Sequence, residues 1–234
     1  MQAPKKNELK PWLKRMWCIQ IITEQYRERM YRLLKLYQQR HNSKMPVICM
    51  DEKSKQLLQD SRRPIEAKPG KLEKYDYEYI RKGTCNIFLA VVPKAGIRIV
   101  KVTDTRTKKD FAYFIEDLVD RHFRSCNYIQ LVLDNLNTHF EGSLIETFGK
   151  RKANRLMKKI RFIYTPTHGS WLNMAEIEIN IMDRQCTGGR IASKERLTSD
   201  VRIWSKERND KQCNIQWKFT RQDADKKLSK HYVA

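Results

Sequence analysis

The sequence predicts an α/β fold, a mixed sheet with helices on its faces, and three observations predict it. Short apolar runs of strand-like composition alternate with segments whose apolar residues recur at helical spacing. Two of the runs, residues 85–92 and 97–102, are joined by Pro93-Lys94-Ala95-Gly96, a hairpin signal. Two other runs end directly in an aspartate, as strands do when they deliver a polar group to the carboxyl edge of a sheet.

The elements follow in order. Residues 1–45 form a basic arm with Trp12 and Trp17, then a helix opened by Thr23 as N-cap and carrying Ile22, Tyr26, Met30, Leu33 and Tyr37 on one stripe. Pro46 starts a buried strand, Val47-Ile48-Cys49-Met50, closed by Asp51. Residues 60–73, with Pro64, Pro69 and Gly70, read as a loop before the hairpin. Thr107 and Asp110 form a capping box for a helix that turns Phe111, Phe114, Leu118 and Phe123 inward. Residues 128–133 make an apolar strand closed by Asp134, and a basic amphipathic helix covers 143–158. A fifth strand at 161–165 precedes Pro166, and a helix runs from near Trp171 to about Cys186. Beyond Gly188-Gly189, Ser193 opens a helix with Leu197, Val201 and Trp204. Ile215, Trp217 and Phe219 then alternate as in a strand, and Thr220 with Asp223 caps a last helix. The domain reading is 1–45 for the arm and first helix, 46–187 for the sheet domain, and 188–234 for a C-terminal helical and strand extension.

Composition narrows the function. Forty-eight Lys and Arg against 27 Asp and Glu give a net charge of +21 over 234 residues, which points to a polyanionic partner, chiefly nucleic acid. Hydrophobic residues at 40% suffice for a core. No apolar run is long enough for a membrane span and the N-terminus lacks a signal peptide's apolar stretch, so a cytoplasmic, nucleoid-associated protein is expected. The six cysteines show no CxxC pair and no Gly-rich phosphate loop occurs, which argues against a zinc knuckle, a disulfide frame and nucleotide hydrolysis.

In so basic a chain, clustered acids make sense chiefly where cations intervene. If the strands ending in Asp51 and Asp134 are parallel neighbours, ~4.8 Å apart, both carboxylates can bind one divalent ion. A third acid is offered by Glu176 or Glu178, which stand ~200° apart around a helix and cannot face the same site. Mg²⁺ suits such oxygen ligands, and a pair of such ions suits in-line phosphodiester cleavage.

With these residues in view, the sequence resembles transposases of the DDE superfamily, and more narrowly the bacterial insertion-sequence (IS-six-thirty type) branch of the mariner superfamily. Four blocks carry the resemblance: residues 12–18 (WLKRMWC), 47–54 (VICMDEKS), 131–139 (LVLDNLNTH) and 164–178 (YTPTHGSWLNMAEIE). It implies an RNase H-like five-stranded sheet in which the Asp51 and Asp134 strands adjoin. It also implies a catalytic, metal-binding triad of Asp51, Asp134 and Glu176 using Mg²⁺ or Mn²⁺, with two ions expected. Family members usually begin with a helix-turn-helix that reads the element's terminal repeats; here only the basic arm precedes the WLKRMWC block, so a shortened product or half of an interrupted gene is expected.

Asn135, His139, His168 and Asn173 are expected to support the acids by hydrogen bonding, and Trp171 to lie in the core. Phosphate contacts are expected from Lys53, Arg151, Lys152, Arg155, Lys158, Lys159 and Arg184. The run 151–161 holds six basic residues in eleven. The reading is a DNA transposase catalytic domain that hydrolyses phosphodiester bonds at element ends and transfers the strand to target DNA, as a homodimer or higher oligomer on DNA. The alternatives are a truncated DNA-binding remnant and an RNase H-like nuclease without strand transfer.

Overall fold

The computed structural model describes residues 21–135 and 141–233. Five strands, β1 (Val47–Asp60), β2 (Tyr79–Val92), β3 (Ile97–Thr103), β4 (Ile129–Leu133) and β5 (Ile160–Tyr164), form one sheet in the order β3-β2-β1-β4-β5. β1 pairs antiparallel with β2 and parallel with β4, and β4 pairs parallel with β5, which is the mixed sheet expected.

Strand alternation divides the interior into two cores. Cys49, Ile87, Leu89, Val91, Val132 and Ile163 face α1 (Glu24–Gln38), α4 (Met174–Met182), α5 (Lys194–Asp210) and α6 (Arg221–Leu228). Ile48, Met50, Phe88, Ala90, Leu131 and Leu133 face α2 (Lys108–Asp117) and α3 (Glu141–Met157). Covering both faces is what a sheet with a parallel half requires.

The helix starts follow their local chemistry. Thr23 accepts from the Tyr26 N–H, Ser193 from that of Arg196, and Thr107–Asp110 and Thr220–Asp223 form full capping boxes. Gly96 closes the hairpin turn at φ +68°; a Cβ there would stand 2.6 Å from the Gln212 carbonyl carbon, so the residue is fixed both by conformation and by close approach. Among the described residues no helix is long and apolar enough to cross a membrane.

The sequence expectations need three corrections. β1 does not stop at Asp51. It continues to Asp60 against a β2 that begins at Tyr79, and from Lys55 and Cys85 outward the pair runs on as a ribbon without β3 or β4 beside it. Such a ribbon is held chiefly by its backbone ladder and buries only Leu57 and Cys85 against the α1-side core, so DEKSKQLLQD carries little of the apolar pattern that marks a buried strand. The expected strand at Ile215–Phe219 is extended chain instead. One backbone bond, from the Ile215 N–H to the Pro93 carbonyl, links it to the hairpin turn, and Ile215, Trp217 and Phe219 pack half-buried on the α1 side. Trp171 is not core: it is 44% exposed, donates to the Tyr26 hydroxyl and meets Phe219 edge-on.

Candidate functional site

The site is built where the sheet narrows. The parallel β1–β4 pairing ends at Cys49↔Val132. Continuing that register by two residues sets Asp51 beside Asp134, and by alternation both carboxylates rise from the face covered by α4. Asp51 lies two residues beyond the pairing with β4 but still within the ladder to β2, opposite Leu89. It is therefore rigidly held on one side and open on the other.

The third acid comes from α4. Asn173 caps this helix, accepting from the Ala175 N–H at 3.1 Å, while its amide donates to the Met50 carbonyl at 2.9 Å. One buried side chain thus ties the helix start to the residue before Asp51. Glu176, in the first turn, lies close enough that its charge raises the Asp51 pKa. Glu178 faces the opposite way, as the ~200° separation demands. It is fully buried and held by Arg98 (2.8 and 3.0 Å) and Arg208 (2.7 Å). Glu178 is a structural ion-pair residue joining α4 to β3 and α5.

Burial pushes the Asp51 carboxyl up to about 7, and the charges of Asp134, Glu176 and Glu52 add to the push; a 2.8 Å bond from the Glu52 N–H opposes it. A buried carboxyl whose pKa is raised by neighbouring carboxylates suits a hard divalent ion, whose charge relieves the repulsion. Among the described residues no three His, Cys, Asp or Glu side chains stand in ready-made ligand geometry. The donor chemistry fits a metal ion, and the arrangement is a neighbourhood of acids rather than a closed cage.

The other expected residues divide. Asn135 donates to the Thr165 carbonyl at 2.6 Å, linking the residue after Asp134 to the end of β5, and receives a 3.4 Å contact from Arg29 on α1. Arg29 carried no sequence signal, because its link to Asn135 spans 106 residues. His168 is exposed, at φ +59°, in the segment between β5 and α4. His139 and the WLKRMWC block lie outside the described residues. Lys53 is ion-paired with Asp183, and the exposed Arg184 contacts the Asn180 carbonyl at 3.3 Å.

The basic run is not brought to the acids. α3 leaves the carboxyl end of β4 and returns the chain to the start of the parallel β5, so residues 151–159 sit at the opposite end of the sheet. There Lys152 pairs with Glu116 at 2.5 Å and Arg155 with Asp120 at 2.7 Å, both on the α2 side.

This sheet order, with helices on both faces and acids at one edge, defines the RNase H-like class. The chain belongs to the DDE superfamily endonuclease family, whose profile matches residues 46–198. Among solved structures it is similar to a mariner Mos1 paired-end complex with Mg, at TM-score 0.60 and 13% identity over 99% of this chain and 69% of that one. It is also similar to a Mos1 mariner paired-end complex with Mn, at TM-score 0.55 and 12% identity over 86% of this chain. The chain spans 61% of the length of that neighbour. The Mos1 strand transfer complex is comparable, at TM-score 0.56 and 11% identity. At these identities the likeness is one of fold. No curated protein matches the sequence.

Proposed function

We propose that the chain is the catalytic part of a DNA transposase, a metal-dependent endonuclease of the insertion-sequence (IS-six-thirty type) branch of the mariner superfamily. The observation that carries the reading is the register at Cys49↔Val132, which sets Asp51 beside Asp134 while Asn173 anchors the helix of Glu176 to the same strand.

Asp51, Asp134 and Glu176 would hold Mg²⁺ or Mn²⁺, with two ions proposed. Such a pair supplies activation of the attacking oxygen and charge stabilisation at the leaving one. The protein's own part is to hold the carboxylates. The β2 ladder fixes the backbone of Asp51, Asn135 fixes that of the β4 exit, and Asn173 fixes the start of α4. Lys53 and Arg184, flanking the acids, would contact the phosphates of the scissile strand. In the reaction, water breaks a phosphodiester bond to leave a 3′-hydroxyl and a 5′-phosphate. That hydroxyl then displaces a second phosphodiester in target DNA, and no covalent protein–DNA intermediate is needed. The partners are element-end and target DNA, engaged by a homodimer or higher oligomer.

Relaxation of supercoiled plasmid in Mn²⁺ or Mg²⁺ tests the chemistry. The wild-type chain should nick, Asp51→Asn should not, and unchanged nicking in Asp51→Asn would overturn the assignment. Joined products separate a transposase from a nuclease that only cuts.

A further inference from the structure

We infer that the end of the sheet opposite the carboxylates is a second DNA-binding face, distinct from the site that cuts. This goes beyond the proposed chemistry and does not require it.

The loops that meet at that end are residues 39–46, 93–96, 123–128 and 158–159, with the start of β5. Among their side chains are Arg40, Lys44, Lys94, Lys158, Lys159 and Arg161, and these segments contain no Asp or Glu. Backbone bonds bind three of these segments and β4 into one surface, and Lys94 joins the fourth through its side chain to the Gln39 carbonyl. The Asn127 N–H donates to the Lys44 carbonyl, the Ile129 N–H to that of Lys159, and the Gln130 N–H to that of Pro46, all at 2.8–2.9 Å. The six cations are therefore held near one another by the fold, although up to 121 residues separate them in sequence.

Their charge is left uncompensated. Among the described residues none of the six forms an ion pair with a carboxylate. Lys159 donates to the Cys126 carbonyl at 2.7 Å, Lys44 to that of Ser125 at 3.4 Å, and Lys94 to that of Gln39, all neutral acceptors. The acids just beyond the patch are already taken, Asp120 by Arg155 and Asp210 by Lys206. Between Arg40, Lys94, Tyr128 and Arg161 opens a cavity of about 350 Å³. The Arg161 guanidinium lies 3.8 Å from the Tyr128 ring centroid. Stacking of this kind holds the planar fork while its N–H groups can still donate to phosphate oxygens. A concave surface whose charged side chains, Arg40, Lys94 and Arg161, are all positive fits the backbone of a nucleic acid duplex.

The face cannot serve the same phosphate as the acids. β4 runs from Ile129 at this end to Asp134 at the other, about 16 Å at ~3.3 Å per residue. Of the basic run at 151–161, Lys158, Lys159 and Arg161 belong to this face. A second duplex segment, held while another is cut, is the occupant these observations favour.

The test uses the triple variant Lys94→Ala/Lys158→Ala/Arg161→Ala, three exposed side chains whose removal leaves the cores intact. A matched control removes Arg202 from α5, Lys226 from α6 and Lys230 from the turn that follows α6. Binding of a short random-sequence duplex is followed by fluorescence anisotropy across a salt series, beside plasmid nicking at saturating DNA. The far-end triple should weaken duplex binding about tenfold or more and reduce the salt slope by ~2.7, the value for three lost phosphate contacts. Its nicking should be unchanged, and the control should lose little affinity. Equal losses in the control would overturn the inference, as would loss of nicking in step with binding in the far-end triple. Anionic vesicles that displace the duplex from the wild type but not from the triple would show a lipid face instead, and overturn it too. Failure of the wild type to nick would sink the proposed function and leave the affinity comparison readable.

Discussion

Asp51 carries a conflict that its neighbours impose on it. A carboxyl with an ordinary pKa of 3.8 is held at about 7 in the fold, so between those values the folded chain keeps a proton that the unfolded chain releases. Stability of the metal-free protein should therefore fall as pH rises from about 4 to about 7. Asp51→Asn removes the conflict. It should flatten that slope and raise the metal-free Tm at neutral pH by roughly 2–4 °C, the equivalent of about 1 kcal/mol in a chain of this size, while nicking disappears. Thermal melts with and without divalent ion check both halves, since added ion should stabilise the wild type more than the variant. The two glutamates of α4 divide in the opposite sense. Glu176→Gln should retain the fold and lose nicking. Glu178→Gln should cost about 3 kcal/mol, because Arg98 and Arg208 then keep buried charge without a counter-ion. Denaturant midpoints set beside nicking rates separate the two roles, and equal loss of stability in both variants would refute the division.

At the scale of elements, the site depends on one helix start being pinned to one strand. Asn173 does this with both ends of its amide, capping α4 and binding the Met50 carbonyl. Asn173→Ala should cost about 1 kcal/mol for the cap and a further ~1–3 kcal/mol for the carbonyl left buried and unpaired. It should also slow nicking although all three acids remain. Full activity in a destabilised Asn173→Ala protein would show that α4 is placed by packing alone. The hairpin turn has a similar dependence. Gly96→Ala meets the Gln212 backbone and a left-handed φ together, so it should destabilise by about 1–3 kcal/mol without touching the acids. The caps at Thr23, Thr107, Ser193 and Thr220 were all legible in the sequence, since each needs only residues three apart. The ribbon of β1 and β2 and the extended chain at Ile215–Phe219 were not. In the first, strands form with only Leu57 and Cys85 buried; in the second, alternating aromatics pack against helices without joining a ladder.

The whole molecule separates its charges. The acids gather where β1 and β4 part, and the cations spread over the remaining surface, with the group that has no carboxylate partner among the described residues at the far end of the sheet. A net charge of +21 predicts salt-sensitive duplex binding with little sequence preference, because phosphate contacts position DNA without reading it. Raising salt from about 50 to about 200 mM should weaken binding by ~10³-fold if six phosphates are contacted. Anisotropy titrations on unrelated duplexes check this, and a strong preference among them would assign base-reading contacts to this chain.

The sequence by itself determined the alternation of strand and helix, the helix caps, the two aspartates that follow apolar strands, and the charge that calls for a polyanion. Each of these is written in neighbouring residues, within reach of a single turn or a single strand. Only the tertiary structure decided that Asp51 and Asp134 adjoin, since register is a pairing of residues more than eighty positions apart. It also decided that Glu178 is an ion-pair partner while Glu176 faces the acids, because burial against Arg98 and Arg208 depends on strands and helices far along the chain. The basic run near residue 155 was visible in the sequence, but its place was not: a helix between parallel strands must carry the chain back to their starting end, and that takes the run away from the acids.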